Sequence, residues 1–132
     1  MRFNAPQSRS VLIGENIFNE NELNCRIEVE LEKFTKKVQI ESRVLGDLAI
    51  NHIIPTAVNY QNRLLENLRG LREIFSAEEY EMLGADRREL VKEIQLRVLE
   101  IKRLVSEMTE ARHIANRLDS QIKKAYSYQE TV

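Results

Sequence analysis

The sequence has no tryptophan, one cysteine, two prolines and four glycines in 132 residues. Each scarcity excludes something. An all-β sandwich or barrel turns every ten residues or so and needs glycine, proline and asparagine at its turns. Four glycines and two prolines, widely separated, do not supply that. The lone Cys25 has no partner for an internal disulfide, which fits a reduced compartment. The formal net charge of −1 leaves no basic excess for nucleic acid. Lys36-Lys37, Arg87-Arg88 and Lys123-Lys124 are isolated pairs close to acidic residues and read as solvated faces, not a phosphate track. No apolar run approaches the roughly 20 residues that span a bilayer. Val11-Leu12-Ile13 is too short for the apolar part of a secretory signal. The expectation is a soluble, cytoplasmic protein that binds neither nucleic acid nor membrane.

What remains is 42% apolar and 31% charged residues, a mix that favours an ordered chain with charged outer faces. At this length one domain is the simplest reading. Residues 1–19 stand apart, with Pro6, Gly14, several asparagines and serines, and little periodicity; they read as a loosely structured N-terminal arm. A first helix, about 20–54, starts near Asn19 to Asn21, either asparagine serving as N-cap. Leu23, Ile27, Leu31, Phe34, Val38, Leu45, Leu48 and His52 recur at steps of three, four or seven, one face of a helix. Ile40, Val44 and Ile54 widen the stripe, which implies more than one neighbour.

Pro55 removes a backbone donor and clashes with the preceding turn, so the helix is expected to kink or break briefly there. The periodicity resumes at once through Ala57, Gln61, Leu64, Leu68, Leu71 and Phe75, a helix of about 56–75. Gly70 inside it points to close packing of a neighbour. Ser76 and Glu79 make a capping box. A short turn through Tyr80 and Leu83, ended by a left-handed Gly84, is expected to follow. Asp86 with Glu89 repeats the capping pattern and opens a last helix of about 86–127, with residues 129–132 as a tail. Its stripe runs Leu90, Ile94, Val98, Ile101, Val105, Met108, Ala115, Leu118 and Ile122, with Arg112 in an apolar place. The short connection turns this helix back on the one before it. The predicted fold is all-α: an elongated antiparallel bundle of two to three long helices over residues 20–128.

Reactive groups do not assemble. His52 and His113 have no partner at a metal-binding spacing; His52 reads as a core or interface residue and His113 as a surface one. Cys25 lies one turn from Glu22 and Glu28, which disfavour a thiolate, so it is not read as a nucleophile. The carboxylates alternate with lysine and arginine at helical spacing, as Glu32 does with Lys36. Gly14, Gly46, Gly70 and Gly84 form no phosphate loop. A helix-turn-helix over residues 73–97 is outweighed by its acidic residues. Thr131-Val132 reads as an arbitrary end. No catalytic, cofactor-binding or metal-binding residue is assigned.

One resemblance is specific. Arg26 to Phe75 holds Phe34-Thr35-Lys36-Lys37, Val38-Gln39-Ile40-Glu41, Val44-Leu45-Gly46-Asp47-Leu48, Asn51-His52-Ile53-Ile54-Pro55-Thr56-Ala57 and Tyr60-Gln61-Asn62, in that order. This stretch resembles the C-terminal helical region of type III glutamine synthetases. The later half is similar more loosely, at Ala111-Arg112, Ala115-Asn116 and Lys124-Ala125-Tyr126. The resemblance implies a parent enzyme that joins ammonia to glutamate with ATP and magnesium or manganese, and that assembles as stacked rings. It implies a non-catalytic, structural or oligomerisation role for this region, with the parent's catalytic domain and further copies as partners through an exposed apolar helix face. The parent's catalytic segments lie elsewhere, so no site residue is carried over. The alternative reading is a stand-alone helical adaptor for protein–protein interaction.

Overall fold

A computed structural model describes residues 5–132. The fold is all-α, and no strand occurs among the described residues. Helix α1 spans Pro6–Gly14, α2 Glu20–Leu48, α3 Ile54–Ile74, α4 Ala77–Asn116 and α5 Gln121–Glu130. A π-helical turn, Ala49–Ile53, joins α2 to α3. The chain divides into two units, Met1–Ser42 with Glu110–Val132, and Arg43–Thr109. Helices α2 and α4 contribute residues to both.

The first unit begins with a correction. The arm expected to be loose contains α1, though Met1–Asn4 lie outside the described residues. Pro6 sits at the start of α1, where its missing N–H costs nothing and its fixed φ suits the helix. Asn16, with φ 52°, ends it. The Ile17 amide donates to the Leu12 carbonyl and the Asn16 amide to that of Ile13, both at 3.1 Å. This is the paired bonding that closes a helix on a left-handed residue, and asparagine stands in for glycine. Asn19 then caps α2 reciprocally: its Oδ1 accepts from the Glu22 amide at 2.8 Å, and a Glu22 carboxylate oxygen accepts from the Asn19 amide at 2.9 Å.

In the same unit, the line from α4 to α5 is not one helix, as the 86–127 reading had it. It breaks over residues 117–120, where the Arg117 and Leu118 amides turn back three residues to the Ile114 and Ala115 carbonyls. Helix α5 restarts after Ser120 and runs to Glu130, so only Thr131 and Val132 remain of the expected tail. Tyr128 on α5, with 2% of its surface exposed, packs inward together with Leu23, Ile27, Ala115 and Ala125. Its hydroxyl donates to Asn116 Oδ1 at 2.8 Å, and Gln39 Nε2 donates to the same oxygen at 2.9 Å. One amide oxygen thus ties α2, α4 and α5.

The second unit is an antiparallel helical hairpin. Gln61 Nε2 donates to the Val91 carbonyl at 3.0 Å. Gly46 faces Val105 and Met108, and Gly84 faces Leu68. As numbers rise along α2 and α3, their partners on α4 fall.

Pro55 neither stops the helix nor leaves a gap. Its ring would press on the carbonyl four residues back in an ordinary α-helix. The turn before it widens instead, and the Ile54 amide reaches the Ala49 carbonyl five residues back. That extra room carries the helix past the proline, which occupies the first turn of α3.

Two glycine readings exchange places. Gly70, expected to admit a close neighbour, has nothing within 4 Å of where a Cβ would be. Gly84, expected to end a helix, lies inside α4 and has no positive φ. A Cβ there would meet Leu68 Cδ2 at 3.1 Å. Gly84 is therefore the close-approach residue. With no stop at that point, α4 starts at Ala77 and passes straight through Asp86, which caps nothing. The Ser76–Glu79 box that precedes α4 does form: Ser76 donates both its amide and its hydroxyl to Glu79 Oε2, at 3.0 and 2.8 Å.

Candidate interaction surface

The inward face of α2 differs from the stripe read in the sequence. Its buried line runs Leu23, Ile27, Thr35, Ser42 and, in the π-turn, Ala49. Phe34, Leu45, Leu48 and His52 were expected on that line and are exposed instead. The reason is steric. Gly46 lies in contact with Val105 Cγ1 and Met108 Cε, at 3.5 and 3.4 Å from a built Cβ, and Ala49 is buried close by in the sequence. At this crossing of the Arg43–Thr109 unit, small residues therefore face the partner helix and let it approach. Large ones are left outside: Val44 is 60% exposed, Leu45 55% and Leu48 45%. Leu96, Leu99 and Leu104 on α4 are exposed as well.

A groove of about 290 Å³ runs along one side of this hairpin. Ile53, Ile54 and Ala57 line one wall, Leu90, Ile94 and Ile101 the other. Glu93 and Arg97, an i,i+4 ion pair at 3.9 Å, also border it. The floor includes Val98, which is buried. Helix-to-helix packing fills only the central seam of a two-helix hairpin. The flanks of the apolar stripes stay open unless a third element covers them.

Chemistry-bearing side chains do not converge. His52, His113 and Cys25 are each exposed. Around the π-turn the polar groups bond locally: Asn51 Nδ2 donates to Asp47 Oδ1 at 2.6 Å, and the Thr56 hydroxyl to the His52 carbonyl at 2.8 Å. No group of three or more His, Cys, Asp or Glu able to hold a metal occurs among the described residues. The donor set thus does not fit the divalent metal that the resemblance implies for the parent, and no glycine-rich loop offers a nucleotide its phosphates. Surface carboxylates are engaged by cations one helical turn away, as in Glu32–Lys36 at 2.7 Å and Glu107–Arg103 at 2.6 Å. The Lys36 ammonium, by hydrogen bond and by charge, holds Glu32 below the ordinary carboxylate pKa. The Ser76 hydroxyl and then its amide do the same for Glu79. These are solvated pairs, worth little to stability. No helix among the described residues is long and apolar enough to cross a membrane.

Residues 1–72 match the family described as the glutamine synthetase C-terminal domain. The whole chain is 67% identical, over 132 residues, to a protein of Bacteroides fragilis (strain YCH46) named glutamine synthetase. The chain belongs to the glutamine synthetase C-terminal domain family. It spans 18% of the length of that Bacteroides relative. Within this family member, the resemblance motif Val44–Leu48 ends just before the π-turn and Asn51–Ala57 begins inside it; Val44, Leu45, Leu48 and Ile53 are exposed there and Ile54 is buried.

The sequence reading missed two things here. Ser42, Gly46 and Ala49 carried the signal for a close helix crossing: small residues at steps of four and three. Asn116 and Tyr128 gave no signal, because a bond between residues 12 apart across a helix break has no period.

Proposed function

We propose that this chain is the non-catalytic C-terminal helical region of a type III glutamine synthetase. The parent would ligate ammonia to glutamate with ATP in the cytoplasm. The region's part would be structural: covering the catalytic portion of its own polypeptide, or shaping contacts between subunits of a ring assembly. Taken alone, its exposed leucines and valines favour self-association into a homo-oligomer. The observation that carries this reading is the packing around one crossing of the Arg43–Thr109 unit, where Gly46 and Ala49 face α4 and Val44, Leu45 and Leu48 lie outside. A hairpin meant to stand in water would leave fewer large apolar residues outside its seam.

The test compares three polypeptides: the chain alone, the full-length enzyme that carries it, and that enzyme lacking these residues. The chain alone is expected to form no glutamine from glutamate, ammonia and ATP. The shortened enzyme is expected to lose its assembly, read by light scattering as a fall in mass. Full assembly and full activity without these residues would overturn the structural role. Ligase activity in the chain alone would overturn the non-catalytic one.

A further inference from the structure

We propose that the groove between α3 and α4 is the seat of an amphipathic helix from the parent polypeptide, outside the residues of this chain. The inference rests on the reading above and commits it to one occupant.

Four observations lead there. The groove is apolar on both walls, with Ile53, Ile54 and Ala57 facing Leu90, Ile94 and Ile101. It lies along two antiparallel helices, the geometry that accepts a third helix packed at the usual 8–10 Å axial spacing. Its walls are side chains of intact helices, so they offer an extended segment no backbone partners. A strand laid there would leave its own amides and carbonyls unpaired against apolar surface, at a cost of several kcal/mol. A helix satisfies its backbone internally and presents apolar residues at i, i+3, i+4 and i+7. Finally, more than four-fifths of the Bacteroides relative's length lies outside the matched span. Such a segment is tethered, and tethering gives it an effective concentration in the millimolar range for a short flexible link. A separate copy of this chain has no such advantage. Glu93 and Arg97 at the border would meet the flanking polar positions of that helix and set its register.

The experiment places a photo-reactive benzoylphenylalanine at Ile53 of the full-length enzyme, and separately at Ala57 in case the first variant fails to fold. Irradiation is followed by denaturing electrophoresis and peptide mapping. The expected result is an internal link: no change in apparent chain mass, and a joined peptide from a helical segment outside this chain's 132 residues. A band of doubled mass, joined to the same groove of a second copy, would overturn the inference and leave the structural role standing. So would the absence of any protein link at both positions. The structural role itself falls only on the deletion experiment above, so the two failures are told apart.

Discussion

The two units of the chain solve the same problem in opposite ways. In the unit of residues 1–42 and 110–132, Leu23 and Tyr128 are the largest side chains fully buried, although Phe34, Ile40 and Tyr126 stay exposed. A polar knot at Asn116 then fixes three helices to one another. In the unit of residues 43–109, Ile54, Leu68 and Val98 are buried, but beside the Gly46 crossing Ala49 takes the seam and Val44, Leu45 and Leu48 remain outside. The first unit is held by its own contents. The second, in the reading proposed above, is half of an interface. Burial of a large apolar side chain is worth roughly 1.5–3 kcal/mol, so a unit that leaves several of them in water holds that stabilisation in reserve for a partner.

The contrast breaks most sharply at Tyr128. Tyr128→Ala removes a fully packed ring and its bond to Asn116, and is expected to cost about 3–5 kcal/mol, as for large aromatics truncated in a core. Leu48→Ala, a large residue in the other unit, should change stability by no more than about 0.5 kcal/mol in the chain alone. Urea midpoints of the two variants measure the difference. Equal losses would mean that Leu48 is as buried as Tyr128.

A second test sharpens the close crossing. Gly84→Leu forces a side chain against Leu68 and is expected to destabilise by about 1–3 kcal/mol, the usual penalty for overpacking. Gly70→Ala has open space and should stabilise by about 0.5–1 kcal/mol through helix propensity. The opposite signs, read from thermal unfolding, separate a glycine that admits a neighbour from one that does not.

The smallest effect is electrostatic. Glu79 has a lowered pKa because Ser76 donates two hydrogen bonds to its carboxylate. A group whose folded pKa is depressed contributes stability above its unfolded pKa and loses it as pH falls through the folded value. Stability should therefore decline as pH drops below the ordinary value of 4.5, and Ser76→Ala should flatten that part of the profile. A variant with the same slope as the parent chain would show that the box adds nothing at the start of α4.

Much of this fold was legible in the residues. Periodic apolar positions gave the helices, and Ser76 with Glu79 gave a true helix start. Asn19, one of the two asparagines placed to cap α2, makes the reciprocal bonds. The misreadings share a cause: each required knowing what lies opposite. Gly70 and Gly84 look alike in sequence, and only Leu68 distinguishes them. Leu45 and Leu48 continue a stripe that Gly46 and Ala49 displace, because a close crossing selects small residues over large ones. The break at residues 117–120 contains neither glycine nor proline and is fixed by Tyr128 docking on the far side of it. The interaction surface was visible as a stripe too wide for one neighbour, but its position followed only from which side α4 took.

The central claim is that the large apolar residues of the second unit face solvent in this chain and are covered in the enzyme that carries it. Hydroxyl-radical footprinting tests it directly, by comparing oxidation rates at Leu45, Leu48 and Leu99 in the chain alone at low concentration and in the assembled full-length protein. The account predicts rapid oxidation of all three in the chain alone and at least a severalfold fall at Leu45 and Leu48 on assembly. Equal rates in the two forms, with Leu45 and Leu48 still open to solvent in the enzyme, would contradict it.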